Sequence, residues 1–285
     1  MQLMDIAGRL REHWTKVDRL PFIERLAPGQ KELMSHECLL GFQRAQRLAY
    51  KGAQDIGRLI CEGWTEVQAA ELLETWLADH GVSAYFHKPY AWFGERTRFS
   101  GINPNHYAEF MPTQRRILPG DVFILDVAPI VNHYTCDIGY TGSLGENAGL
   151  SAARGTLAEL REHIRSGFAQ KKTGAQIWAE VDQRIATAGF DNIHRLYPLS
   201  VLGHRVHRSS SAAPRLNMLN FGWQSYWSLL SRGVMGQLLT PYFVGDQVGL
   251  WAIEPHLGGV GFGAKFEEIL VVTPDKVFWI EDYQP

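Results

Sequence analysis

The chain has 285 residues, of which 45% are hydrophobic and 20% are charged, and its formal net charge is −2. This composition is typical of a globular protein with a large core. The near-neutral charge favours neither nucleic acid nor a membrane surface as partner, and no apolar run is long enough to span a bilayer. The N-terminus lacks the apolar core of a signal peptide, and the three cysteines are widely spaced. We therefore expect a cytoplasmic protein without a disulfide framework.

The first part of the chain predicts an arm followed by two helices. Residues 1–29 end at a Pro-Gly pair, so we predict an N-terminal arm and a single folded domain over residues 30–285. Apolar residues recur at helical spacing from about Gln30 to Cys61. Thr65 is a good N-cap for a second helix, which is predicted to end near His80, before Gly81.

The rest of the chain repeats this order of elements. Strand-like pieces over residues 82–118 precede a hairpin, and two more helices are predicted over residues 151–170 and 174–188. Residues 197–208, 248–254 and 265–273 predict strands, with a glycine-rich turn at 258–263, and residues 209–243 predict a loop or short-helix insertion. Two helices followed by a carboxylate-bearing hairpin, twice over, indicate a pseudo-symmetric α+β domain.

The first hairpin carries two carboxylates in apolar surroundings. Asp126 interrupts the apolar run Val122–Val127, and Asp137 lies beside Ile138 in the return strand. Antiparallel strands can turn both side chains to one face, where two ionised carboxylates repel each other. A bound cation would hold both ionised, although strand-end carboxylates that cap backbone N–H groups or pair with arginine remain an alternative.

The second hairpin has a matching pair. Glu254 ends an apolar strand, and Glu267 or its neighbour Glu268 enters the apolar run of the last strand. His204 lies between the two hairpins in a Gly-His pair, where a hydrogen-bonded core histidine is the simpler interpretation. Together, two Asp, two Glu and one His are suited to two divalent cations.

These motifs resemble those of the pita-bread-fold metallopeptidases, which include methionine aminopeptidase, aminopeptidase P and prolidase. The resemblance covers about residues 31–273 and rests on the segments LDVAP, CDIGYT, GH, IEP and EEILVVT. It implies a pseudo-two-fold curved antiparallel sheet covered by helices, in a divergent single-domain member. It also implies a dinuclear site for Mn, Fe, Co or Zn whose ligands are Asp126, Asp137, His204, Glu254 and Glu267.

The resemblance implies catalytic residues as well. The segment NPNHY matches the family segment that carries a substrate-facing histidine, here His106. Two ions would hold a bridging hydroxide, Glu254 or Glu267 would move its proton, and His106 and His207 would bind the substrate carbonyl. We expect an aminopeptidase or X-Pro peptidase that acts on an N-terminal or small-peptide amide bond, with a homodimer as a possible assembly.

Departures from the family pattern leave two rival functions. The usual Arg of the second motif is replaced, with Tyr140 near its place, and the GH motif is contracted to GHRVHR, so His207 is only a candidate for the family's second histidine. These changes favour a second hypothesis, a metal enzyme of the same fold that acts on a non-peptide small molecule. A binding module without catalysis is a third, although all five ligand residues are present. Trp223, Tyr226, Trp227, Tyr242 and Phe243 are candidates for the pocket wall or the core.

Overall fold

Two long helices begin the described part of the chain. The structure is a computed structural model that describes residues 32–103, 106–209, 217–218, 221–222 and 234–284, so the arm predicted over residues 1–29 lies outside it. Helix α1 spans His36–Leu59, capped by Ser35, and α2 spans Glu66–Asp79. Thr65 is the N-cap of α2, as the sequence predicts, and it forms a reciprocal capping box with Gln68.

The first strands follow α2 and lead to two further helices. The strands are β1 (Tyr85–Phe93), β2 (Val122–Val131), β3 (Tyr134–Thr135) and β4 (Ile138–Ser143). Helix α3 spans Ala148–Ala169 and α4 spans Gly174–Thr187. Asn147 caps α3, and Thr173 with Gln176 forms a second capping box. These two helices agree closely with the predicted ranges.

Short strands dominate the remainder of the chain. These are β5 (Asp191–Asn192), β6 (Gly203–Arg205), β7 (Asn217–Met218) and β8 (Phe221–Gly222), then a short helix α5 (Val234–Gln237) and β9 (Leu238–Leu239). The last five are β10 (Gly249–Ile253), β11 (His256–Gly259), β12 (Phe262–Lys265), β13 (Glu268–Val272) and β14 (Val277–Trp279).

The strands form three antiparallel sheets. One has the order β3-β2-β1-β8-β7, with β4 also paired to β2, the second has the order β14-β13-β10-β6-β9, and the third has the order β12-β11-β5. Helices α1 and α2 share one apolar core cluster with the first sheet, and α3 and α4 share another with the second. The predicted α+β architecture, with helices over curved antiparallel sheets, is confirmed.

Two strand predictions are wrong in detail. The strand predicted over residues 197–208 is reduced to Gly203–Arg205, because residues 193–200 form two 3-10 turns, with Leu199 and Ser200 at positive φ. The strand predicted over residues 265–273 is broken at Phe266 and Glu267, and most of the glycine-rich turn belongs to the hairpin of β11 and β12. Gly263 is needed in that hairpin, since a Cβ there would lie 2.2 Å from the carbonyl oxygen of Thr97.

Helix α1 also holds the C-terminal half of the fold in place. The buried amide of Gln43 donates to the backbone carbonyls of Ile280, Glu281 and Tyr283. Gln46 accepts from the backbone N–H of Ile269 on β13. In the parts of the chain that the structure describes, no helix is both long enough and apolar enough to cross a membrane.

The buried carboxylate of Glu66 ties the start of α2 to the end of β1. It accepts from the backbone N–H of Phe93, from the guanidinium of Arg96 and from the N–H and hydroxyl of Thr113. Because Glu66→Ala leaves Arg96 without its charge partner, we expect the free energy of unfolding to fall by about 3–5 kcal/mol. Urea denaturation measures this. Glu71→Ala, an exposed position on α2, is the control, and equal losses in both variants would contradict the prediction.

Buried His194 makes stability depend on pH. Burial lowers its pKa to about 3, whereas an unfolded chain restores the ordinary value. The unfolded state therefore binds more protons below the ordinary pKa, so stability falls as pH decreases. Between about pH 7 and about pH 5 the loss from this group is about 2 kcal/mol. We expect His194→Gln to lose less stability over that interval in urea denaturation, and exposed His80→Gln to behave as wild type; parallel curves for all three proteins would refute this.

Candidate metal centre

A cavity of about 180 Å³ lies where the sheets meet, and all five residues predicted as metal ligands line it. Asp126 lies in the middle of β2, opposite Gly139 on β4, and Asp137 immediately precedes β4. His204 lies on β6, and Glu254 directly follows β10. The two hairpins and the Gly-His strand are therefore brought together as the sequence predicts, and the role of these residues as ligands stays a prediction.

Glu267 lies in the break between β12 and β13, and its side chain lines the cavity. The hydroxyl of Tyr50 on α1 donates to the backbone carbonyl of Glu267 at 2.9 Å. Its neighbour Glu268 points the other way and pairs with Arg161, at 2.8 Å between Nη2 and Oε2. The geometry therefore favours Glu267 over Glu268 as the residue of the site.

His87 is a residue of the site that the sequence analysis missed. It lies on β1, where the pairing with β2 is irregular on both sides of His87. Pro89 follows two residues later, and a proline inside a strand is typical of a bulge, which re-aims neighbouring side chains. The imidazole Nε2 lies 3.2 Å from Asp137 Oδ1 and 3.4 Å from Asp126 Oδ1. In the sequence, the only sign of this bulge was a proline within an aromatic strand.

Asp137 lies between two imidazoles. His87 approaches its Oδ1, and His204 Nε2 lies 3.1 Å from its Oδ2. In each histidine the other ring nitrogen, Nδ1, is within hydrogen-bond distance of a backbone carbonyl, that of Lys88 or Arg205. An Nδ1–H that donates to a carbonyl leaves Nε2 as the atom for a metal ion, which is the usual arrangement of a ligating histidine.

Among the described residues, two groups of three could hold a metal ion, and both contain Asp137. One consists of His87, Asp126 and Asp137, and the other of Asp137, His204 and Glu267. In the second group Glu267 Oε1 is buried, lies 3.5 Å from His204 Nε2 and makes no hydrogen bond within the described residues. A buried carboxylate oxygen that faces an imidazole and a second carboxylate fits a divalent transition-metal ion.

The ammonium of Lys265 lies among three of the predicted ligands. Its Nζ is 2.6 Å from Asp126 Oδ2, 2.9 Å from Glu254 Oε2 and 2.9 Å from Glu267 Oε2. Lys265 is 3% exposed. No motif in the sequence indicated Lys265 as a residue of the site. Its position two residues before Glu267 was the available signal, because such residues of an extended chain can face the same side.

Charges in the cavity shift the pKa values of its bases. Burial lowers the pKa of His87, but the carboxylates of Asp137 and Asp126 outweigh burial and raise this pKa to about 9. For His204 the opposing effect of burial is again overcome, and the carboxylates of Asp137 and Glu267 raise the pKa well above its ordinary value. Burial opposes protonation of Lys265 too, but its three carboxylate partners hold its pKa well above the usual range.

The pKa values of the carboxyl groups in the cavity are shifted in opposite directions. Burial favours a raised pKa at Asp137, but the two imidazoles overcome it and hold the pKa of Asp137 below its ordinary value. Burial raises the pKa of Asp126 to about 6, against the attraction of Lys265. Burial and the charge of Glu267 raise the pKa of Glu254 to about 8. A carboxyl group with a pKa near neutrality can take up or release a proton under ordinary conditions.

Comparison with known proteins identifies the family. The sequence profile described as metallopeptidase family M24 matches residues 41–274. The chain belongs to metallopeptidase family M24. This membership confirms the predicted resemblance and the pita-bread fold, and it supports the predicted class, a metallopeptidase-like hydrolase. None of the curated proteins matches the chain.

Several solved structures of peptidases have the same fold as this chain. The X-Pro aminopeptidase from Thermotoga maritima MSB8 is 17% identical, with a TM-score of 0.65 over 95% of this chain and 65% of that chain. The Xaa-Pro dipeptidase from Bacillus anthracis is 16% identical, with a TM-score of 0.60 over 88% and 62%. The methionine aminopeptidase from Rickettsia prowazekii is 14% identical, with a TM-score of 0.56 over 87% and 98%. Sequence identities this low show a shared fold only. The chain spans less than two thirds of the length of the first two proteins.

Two histidines that the resemblance to M24 peptidases implies as catalytic are not among the residues that line the cavity. The side chain of His106 is 68% exposed and lies 3.3 Å from Glu109. His207 is buried, with Nε2 2.7 Å from the side-chain oxygen of Gln237. This placement gives no support to a direct contact of either histidine with substrate, and their catalytic role stays a prediction.

Aromatic side chains form the wall of this M24 cavity. The wall contains Phe86, Tyr90, Trp92, Phe110 and Tyr197. Of the residues proposed from the sequence, Phe243 packs in the core against Trp251, and Tyr242 is 74% exposed. Trp223, Tyr226 and Trp227 lie outside the described residues. Phe86 stacks on the ring of His204, with centroids 5.6 Å apart, and so helps to fix that imidazole.

The neighbours Glu267 and Glu268 provide a matched test of the metal centre. Glu267→Gln removes a carboxylate that faces Asp137 and His204, whereas Glu268→Gln removes one that faces Arg161. We expect Glu267→Gln to weaken binding of Mn²⁺ or Zn²⁺ by more than about tenfold and Glu268→Gln to leave it near the wild-type value. Isothermal titration calorimetry on metal-free protein measures both. The reverse order of effects would exclude Glu267 as a ligand.

Proposed function

We propose that this M24 chain is a metal-dependent hydrolase that cleaves the amide bond at the N-terminus of a peptide or within a small peptide. The observation that carries the proposal is the meeting of Asp137, His204 and Glu267 in one aromatic-walled cavity. A divalent cation held by these residues would lower the pKa of a coordinated water, so that a nucleophile is available near neutral pH. Mn, Fe, Co and Zn all suit this donor set.

Four charged residues and the aromatic wall have definite tasks in this proposal. Asp137, His204 and Glu267 would hold the cation, and the backbone carbonyl of Arg205 behind the His204 imidazole keeps its Nε2 aimed at the cation site. Glu254 would accept the proton of the attacking water and pass it to the leaving amine. The aromatic wall excludes water from the reacting groups and binds the apolar part of the substrate.

A second candidate is hydrolysis of a small non-peptide amide. Two observations favour it: His106 is exposed and is not among the residues that line the cavity, and His207 Nε2 is within hydrogen-bond distance of the side-chain oxygen of Gln237. The cavity therefore has aromatic walls and charged groups, but its lining does not include either histidine expected to bind a peptide carbonyl. The predicted cytoplasmic location and the possible homodimer stay predictions in both cases.

Activity assays separate the two candidates. Metal-free protein, reloaded separately with each candidate metal, is incubated with free dipeptides, X-Pro dipeptides, N-acylated dipeptides and simple aryl amides. We expect metal-dependent release of the N-terminal residue from dipeptides. We expect Glu254→Gln to lower kcat by about 10²- to 10⁴-fold, because it removes the proton acceptor and keeps the side-chain shape.

Glu268→Gln is the control for that assay, since Glu268 is paired with Arg161 on the far side of the strand. It should retain nearly the wild-type kcat. Turnover of aryl amides with no turnover of any of the peptide substrates would favour the second candidate. Absence of turnover with every substrate in every metal-loaded form would overturn the proposal of hydrolysis itself.

A further inference from the structure

Four carboxylates and one ammonium share the cavity. Asp126, Asp137, Glu254 and Glu267 supply four negative charges, and Lys265 contacts three of them at 2.6 to 2.9 Å. These three oxygens, on Asp126, Glu254 and Glu267, belong to side chains that were predicted to bind two metal ions. A cation of this chain therefore already lies in part of the space that a dinuclear site needs.

The backbone, the aliphatic part and the ammonium of Lys265 all make contacts that hold it in the cavity. Its N–H donates to Thr141 Oγ1, and the Thr141 hydroxyl donates to its carbonyl. Its stem crosses Gly139, where an added Cβ would lie 2.5 Å from the lysine Cε. Its ammonium lies 5.6 Å from the centre of the Tyr197 ring. Glycine at position 139 thus makes room for this stem, and the ammonium is a fixed part of the cavity.

One group of three donor atoms is the most favourable position for a metal ion. His204 Nε2 lies 3.1 Å from Asp137 Oδ2 and 3.5 Å from Glu267 Oε1, and Glu267 contacts Lys265 through its other oxygen, Oε2. Glu254 belongs to neither of the two groups found among the described residues, and the carboxylate oxygen that it directs to the cavity contacts Lys265.

The group of His87, Asp126 and Asp137 is less favourable for a second ion. Asp126 already binds Lys265 through its other oxygen, and Asp137 belongs to both groups. With Lys265 in place, one oxygen each of Asp126, Glu254 and Glu267 already contacts a cation. A second divalent ion at His87, Asp126 and Asp137 would share the Asp126 carboxylate with the ammonium. Two cations on one buried carboxylate repel each other.

We propose that Lys265 replaces one of the two cations of a dinuclear centre, so that each chain binds one divalent ion, at Asp137, His204 and Glu267. The inference rests on the proposed function, which requires a bound metal ion. It goes beyond that proposal by giving the number of ions bound per chain. Lys265 is then a positioning residue: it holds Asp126 and Glu254 where a second ion would otherwise hold them.

The number of bound ions tests this directly. Metal-free protein is titrated with Mn²⁺, excess ion is removed by gel filtration, and manganese per chain is measured by elemental analysis. Electron paramagnetic resonance distinguishes a single Mn²⁺ from a spin-coupled pair. We expect about one ion and an uncoupled spectrum for the wild type. Lys265→Met, which keeps the stem and removes the charge, is expected to bind about two ions with a coupled spectrum.

Three further variants serve as controls. Lys265→Arg keeps the cation and Lys276→Met removes an exposed lysine, so both are expected to bind about one ion. Asp126→Asn removes a partner of Lys265 and no ligand of the proposed ion, and it too is expected to keep about one. Circular dichroism checks that each variant is folded.

The outcomes separate this inference from the proposed function. Two ions and a coupled spectrum in the wild type would overturn the inference whatever the variants do, as would one ion in a folded Lys265→Met. If Lys265→Met fails to fold, the counts for the wild type and Asp126→Asn decide: one ion in both supports the inference, and loss of the ion in folded Asp126→Asn refutes it. Absence of bound metal in the wild type would overturn both proposals, and one bound ion without hydrolysis would overturn only the proposed function.

Discussion

The fold is arranged around four carboxylates that are buried in one cavity. Unpaired, such charges would cost several kcal/mol each. The structure compensates for them with Lys265 and with the imidazoles of His87 and His204, which come from three different strands. Asp126 and Asp137 belong to one half of the domain, and Glu254 and Glu267 to the other. The cavity therefore joins the halves electrostatically, and α1 joins them through the amides of Gln43 and Gln46.

Much of this could be predicted from the sequence because its signals are local. The capping boxes at Thr65 and Thr173 start their helices where the polar pattern indicates, and glycines follow the helix ends. An ionised Asp126 in an apolar strand needs a compensating partner, so the two hairpins pointed to four of the cavity's residues. The resemblance added the choice of Glu267 over Glu268, which the opposite orientations of the two side chains now explain.

The rest depends on irregular backbone and on distant contacts. His87 turns into the cavity through an interrupted register on β1, and regular alternation does not predict that direction. Lys265 reaches Asp126 because Gly139, far away in sequence, has no side chain. The inward position of Glu267 needs a strand break, which Tyr50 of α1 supports through a backbone carbonyl. The 3-10 turns over residues 193–200 replace a predicted strand, since apolar content alone does not distinguish the two.

The contact of Lys265 with three carboxylates also bears on how the protein matures. In many small metalloproteins, ion binding supplies much of the folding free energy, so the chain is unfolded until it is loaded. Here Lys265 places one positive charge of the chain itself among three of the carboxylates. Part of the counter-charge that the cavity needs is therefore supplied by the chain before any ion binds.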